Sequence, residues 1–189
     1  MALPKVEEDD LLERLTGVFQ KHGFEGASLS RISRATGLKR ASLYHRFPGG
    51  KEEMAQAVIR HVHERFGRDL LEPLRGPDKP ADKVRLMARR LDRFYDKGRQ
   101  SCILDTLSLE DLAPLRQLTA SAAHGWMEAL AEVAVEAGAS PQEARNLSEE
   151  AVIRVEGALI LSRATGDRRL FEKVIEDLPR LLTGEDPEV

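Results

Sequence analysis

The chain has 189 residues and a mass of 21.1 kDa, enough for one mid-sized or two small domains that bury about 70% of the unfolded surface. Leu, Ala, Arg, Glu, Lys, Gln and Met supply 105 of the 189 residues, against 32 from Val, Ile, Thr, Phe, Tyr and Trp, which argues against a sheet-based fold and predicts an all-α one. The formal net charge of −3 lacks the positive excess of a strong nucleic-acid binder, but an average over the whole chain hides clustering.

The first amphipathic segment spans about Glu8 to His22, with Leu11, Leu12, Leu15, Val18 and Phe19 on one helix face and Gly23 where a left-handed cap is expected. Ser28 is the N-cap of a short second helix that carries Leu29, Ile32 and Ala35 on one side and ends at Thr36, before the turn residue Gly37. A third short helix, Lys39 to Phe47, stops at Pro48-Gly49-Gly50. A long fourth segment from Lys51 to about Leu74 places Met54, Val58, Ile59, Val62, Phe66 and Leu70 at helical spacing, until Pro73, Gly76, Pro77 and Pro80 mark an internal boundary. Further helices are expected at Ala81 to Lys97, Leu112 to Ala137, Pro141 to Ala164 and Asp167 to Leu182, with a short apolar piece at Cys102 to Leu109 and a frayed tail from Thr183 to Val189.

Cys102 is the single cysteine, so no intrachain disulfide forms, which suits a reducing compartment. There is no run of about 18 apolar residues, and the acidic start at Glu7, Glu8, Asp9 and Asp10 lacks the basic and apolar regions of a signal peptide. These features predict a soluble cytoplasmic protein with no membrane partner.

Enzyme readings find little support. Gly49-Gly50-Lys51 has a fragment of a phosphate-binding loop, but His45 stands where the motif needs its first glycine and Glu52 where it needs Ser or Thr. His61 and His63 are two apart, which on a helix turns them about 200° away from each other, and Cys102 has no partner for a zinc site. No catalytic residue, metal or cofactor is therefore assigned.

Residues 26–51 contain Arg31, Arg34, Lys39, Arg40, Arg46 and Lys51 but no Asp or Glu, a local formal charge of +6 that leaves −9 for the remainder. Taken alone, this run reads as a solvated basic face. Its surroundings favour more: two short helices separated by a glycine-containing turn form a helix-turn-helix, whose second helix fits the major groove. Ser28, Ser30, Ser33, Ser42 and Tyr44 add hydroxyls of the kind that contact phosphate oxygens. In the second helix Leu43 and Phe47 face inward, leaving Lys39, Arg40, Ser42 and His45 on the surface, with Lys39 and Arg40 at the end where base-reading side chains sit. Arg or Lys there pairs with O6 and N7 of guanine, so a G is expected in each half-site.

The run Ala27-Ser28-Leu29-Ser30-Arg31-Ile32, then Thr36-Gly37-Leu38, Ala41-Ser42-Leu43-Tyr44-His45-Arg46-Phe47 and Lys51-Glu52-Glu53-Met54, resembles the DNA-binding domain of the TetR family of bacterial transcriptional repressors over roughly residues 8–66. The resemblance implies an all-α homodimer with a three-helix DNA-binding domain over residues 1–50, a connecting helix over 51–75, and a C-terminal dimerisation and ligand bundle over 76–189. By position it implies that Ser28 and Tyr44 contact phosphates, that Lys39, Arg40 and Ser42 approach bases or nearby backbone, and that Lys51 neutralises a phosphate. Arg34, His45 and Arg46 complete the expected DNA-facing set. Arg46 stands where the family usually has histidine, with His45 before it. The stretch from Phe47 to Lys51 is one residue longer than usual, a form that resembles the LmrA/YxaF-like subgroup.

For an inducer pocket, Met87, Tyr95, Cys102, Leu115, Trp126, Met127 and Arg154 are candidate lining groups, being large, adaptable or polar among apolar neighbours. Gly157, Ala158, Leu161, Leu170, Phe171, Val174 and Leu178 are candidates for the dimer interface, because the apolar stripe of the last helix needs a partner. The expected partners are a double-stranded DNA operator, a small-molecule inducer and a second copy of the chain. The competing reading is an all-helical enzyme or scaffold whose basic helix-turn-helix is incidental.

Overall fold

The computed structural model describes residues 7–108 and 112–185. Leu109 and residues 186–189, which belong to the expected apolar piece and tail, lie outside the described residues. Every regular element described is helical: α1 (Glu8–Gly26), α2 (Leu29–Thr36), α3 (Arg40–Arg46), α4 (Gly50–Phe66), α5 (Pro80–Phe94), α6 (Ile103–Ser108), α7 (Ala113–Glu136), α8 (Pro141–Thr165) and α9 (Arg169–Thr183). By packing they form two compact units, one reaching Glu64 and including Ile103–Ala120, the other comprising Arg65–Cys102 and the chain from Ser121 onward.

In the first unit, Leu11, Leu15, Val18 and Phe19 of α1 are buried with Ile32 of α2, Leu43 of α3 and Met54, Ala55, Val58 and Ile59 of α4. Helix α6 packs on α1, and Leu107 and Leu115 are fully buried. Gly23 breaks α1 as expected, with φ of 66°, but one further turn follows and brings Phe24 to within 6.3 Å of Phe19, ring to ring. Ser28 caps α2 by accepting the Arg31 N–H at 3.3 Å, and Gly37 closes it in the left-handed conformation that a side chain resists.

In the second unit, α9 packs against both α5 and α8. An edge-to-face chain of rings runs through its core: Trp126 meets Phe66 at 5.0 Å, Phe66 meets Phe94 at 5.5 Å, Phe94 meets Tyr95 at 5.2 Å and Tyr95 meets Phe171 at 6.2 Å. Lys83 of α5 is buried and donates to both carboxylate oxygens of Glu136 on α7, at 2.7 and 2.9 Å.

Two helices end earlier than their apolar spacing predicts. The fourth segment leaves α-geometry after Phe66, continuing as a π-helical turn at Gly67–Leu71 and a 3₁₀ turn at Glu72–Arg75. Pro73 is the reason: it has no N–H for the carbonyl of Asp69, and Arg90 of α5 donates to that oxygen instead, at 2.8 Å. The helix expected to reach Lys97 ends at Phe94, because Asp96, Lys97 and Gly98 are all left-handed, with φ of 47°, 55° and 78°. Gly98 also lies so close to Phe171 that an added Cβ would sit 3.0 Å from the Phe171 Cβ.

Candidate nucleic-acid interface

The basic face forms on α2, α3 and the start of α4, all in the first unit. Ile32 and Leu43 bury the inner sides of α2 and α3, so the intervening positions are forced outward. Arg34, Lys39, Arg40, Tyr44, His45 and Arg46 are exposed and Ser42 is half-buried. Lys39 occupies the N-cap position of α3 and Arg40 its first turn, so both stand at the helix end expected to meet base edges.

Three side chains are set by neighbours that sequence spacing does not reveal. The Arg40 guanidinium donates to the Ser30 hydroxyl at 2.9 Å, tying the start of α3 to α2. Arg31 donates to the Gly26 carbonyl at 2.8 Å, which places its charge at the start of α2. Lys51 is only about a quarter exposed, with its ammonium 4.1 Å from the Phe24 ring centre and 3.8 Å from the Glu25 carboxylate. The Ser28 oxygen accepts the Arg31 N–H, a bond that does not use its own hydroxyl hydrogen. Glu53 accepts the N–H of Gly49 at 2.6 Å and so fixes the turn that delivers Lys51. The one hint of the Lys51 arrangement in the sequence is an aromatic residue directly after the helix-breaking Gly23; no periodic pattern links it to a lysine so far along.

The structure separates the expected pocket residues. Met87, Tyr95, Cys102 and Trp126 are buried in the second unit and Met127 is half-buried there. The Tyr95 hydroxyl donates to the Cys102 sulfur at 3.5 Å. Burial, then the neighbouring Cys102 and Glu156, push the Tyr95 hydroxyl well above its ordinary pKa. Trp126 Nε1 is buried without a hydrogen-bond partner. Leu115 is fully buried and belongs to the first unit. One expectation is corrected. Arg154 is exposed, held outward by ion pairs with Glu150 and with Asp177 at 2.8 Å, so it lines no buried pocket.

The expected dimer residues also divide. Phe171 and Leu178 are fully buried within the protomer, because α9 turns its apolar stripe onto α5 and α8, and Ala158 is buried as well. They are corrected from interface to core. Gly157 and Val174 are half-buried, whereas Leu161 and Leu170 are exposed, in the company of Ile153 and Ile160.

Among the described residues, no group of three His, Cys, Asp or Glu side chains is placed to hold a metal ion, and no helix is long and apolar enough to cross a membrane.

Comparison with known families matches residues 11–58 to the tetR family of bacterial regulatory proteins and residues 80–177 to the C-terminal domain of LmrA/YxaF-like transcriptional regulators. The chain belongs to the TetR family. Its C-terminal match places it in the LmrA/YxaF-like subgroup of these transcriptional regulators. Among TetR-family relatives, the HTH-type transcriptional regulator LmrA of Bacillus subtilis is 24% identical over 179 residues, covering 92% of this chain and 95% of LmrA. A TetR transcriptional regulator from Legionella pneumophila has a similar fold, with a TM-score of 0.83 at 21% identity over 96% of this chain and all of that one. So does a cysteine mutant of the TetR-family regulator CifR complexed with 26-bp double-strand operator DNA, with a TM-score of 0.76 at 22% identity over 95% and 98% of the two chains.

Proposed function

We propose that the protein is a ligand-responsive repressor that binds a palindromic DNA operator as a homodimer and is released by a small-molecule inducer. The observation that carries this reading is the exposed, acid-free basic face of α2 and α3, with Lys39 and Arg40 at the start of the second helix. The fold shared with an operator-bound regulator supports it. Ser28, Arg34, Tyr44, His45, Arg46 and Lys51 contact the phosphate backbone and set register, while Lys39, Arg40 and Ser42 read base edges.

The exposed Ile153, Ile160 and Leu161 on α8, with Leu170 on α9, supply an apolar face for a second copy, and a dimer offers one recognition helix to each half-site of a palindrome. The inducer binds within the second unit, near Met87, Tyr95, Cys102 and Trp126. A small molecule that prefers the conformation in which DNA binds less tightly disfavours DNA binding, and DNA weakens the small molecule's binding by the same factor.

Selection of duplexes from a random pool, followed by anisotropy titration of the winner against salt, tests the reading. The expected result is an inverted repeat bound with a steep negative slope of log affinity on log salt. Absence of saturable binding to any duplex at moderate salt would overturn it in favour of a helical scaffold.

A further inference from the structure

The second unit carries a surface cavity of about 520 Å³ lined by Arg65, Asp69 and Leu70 on one side and Arg90, Arg93 and Phe94 of α5 on the other. Three arginines there face a single carboxylate, and Asp69 is already engaged by Arg68 at 3.3 Å. The lining also has an apolar component in the half-buried Phe94 ring, which carries the Arg65 guanidinium at 4.5 Å from its centre, whereas Leu70 is fully buried. Arg90 directs one N–H to the Asp69 carbonyl, and the Arg93 Nε–H meets the Arg89 carbonyl at 3.4 Å, a bond that does not engage the terminal amino groups of Arg93. The Asp69 and Leu70 side of the cavity is the π-helical turn, a geometry found disproportionately at functional sites.

We propose that this cavity binds a small organic anion, a carboxylate on a ring-containing apolar body. Planar guanidinium groups match a carboxylate with paired donors, and the half-buried Phe94 ring accepts the body. The charge balance selects this cavity over the neighbouring groove of about 380 Å³, where Asp92, Glu172 and Glu176 oppose Arg89 and Arg93 and repel an anion. The site adjoins the buried Met87, Tyr95 and Cys102 set through Phe94, whose ring lies 5.2 Å from Tyr95, so the proposal rests on the reading that the second unit takes a small molecule, and it does not depend on operator binding.

Calorimetry on the full-length, DNA-free protein tests it with 2-naphthoate as the probe, 2-naphthalenemethanol as the uncharged control and inorganic phosphate as the anion without a body. Saturable binding of 2-naphthoate, with neither control binding comparably, is expected. Arg93→Gln should weaken it roughly tenfold or more, as loss of a charge-assisted bond does. Asp69→Asn should tighten it severalfold while retaining the carbonyl that Arg90 needs. A circular-dichroism melt of each variant establishes folding. Absence of saturable 2-naphthoate binding, equal binding of either control, or an unchanged affinity in both folded Arg93→Gln and Asp69→Asn proteins would overturn the proposal.

Discussion

Single residues of the basic face separate positioning from recognition. Arg40 is held by the Ser30 hydroxyl, so Arg40→Ala should relax sequence preference, and Ser30→Ala should shift preference in the same direction without altering the salt slope. Selection profiles of the two variants check this; if Arg40→Ala left both affinity and preference unchanged, its assignment to base reading would be wrong. On the proposed reading Lys51 contributes charge instead, so Lys51→Ala should weaken binding to all duplexes alike and lower the salt slope by about one per protomer. The sequence made these cations visible as a class, because six occur in a window without one acid. It did not show that Ser30, Phe24 and Glu25 hold two of them, since those contacts join side chains brought together only by tertiary packing. Tyr95 gives a second kind of prediction. Unfolded tyrosine loses its proton near pH 10, whereas buried Tyr95 keeps it. The folded state then holds the extra proton, so stability falls as pH rises above about 10. Urea unfolding at pH 9 to 11 should show this decline in the wild type and a shallower one in Tyr95→Phe.

Among the elements, α2 was legible at both ends because its signals are chemical: a serine that caps and a glycine that accepts positive φ. The end of α5 was not, because Asp96 and Lys97 adopt positive φ without being residues that announce it. Periodicity identified the stripe of α9 but not its partner, since a helical face records that it is buried and not against what. The structure assigns it to α5 and α8, and the two alternatives differ in what mutation does. Phe171→Ala and Leu178→Ala should each cost about 2–5 kcal/mol of stability by leaving a cavity in the protomer. Leu161→Asp on the exposed face of α8 should leave protomer folding nearly intact and shift the monomer–dimer equilibrium toward monomer. Urea titrations and analytical ultracentrifugation distinguish these effects.

Over the whole molecule, helical composition correctly foretold the class of fold, but a reading in chain order does not show that each compact unit is built from two separated stretches. The first unit includes Leu107 and Leu115, both fully buried, with α6 packed on α1. A fragment ending at Phe66 loses that cover although it retains every residue expected to touch DNA. It should therefore melt below the first unit of the intact chain and show reduced amide protection in α1, as measured by circular dichroism and hydrogen exchange. The charge distribution is likewise a property of the whole: a net of −3 conceals a basic segment and an acidic remainder, so electrostatic attraction to DNA is confined to one face, and the rest of the surface repels it.

The turn between Phe66 and Pro73 bears on how the chain tolerates changes in length. A π-helical turn closes its hydrogen bonds over five residues instead of four, so it accommodates one surplus residue without ending the run of helical backbone. The carbonyl stranded by Pro73 accepts a hydrogen bond from Arg90 of another helix, which makes the irregularity a bonded part of the fold. Residues 59–79, which fall between the two family matches, contain this turn. A single deletion there has an obvious way to be absorbed, by tightening five-residue closure to four, whereas the same deletion within α4 or α5 would rotate every following side chain by about 100°.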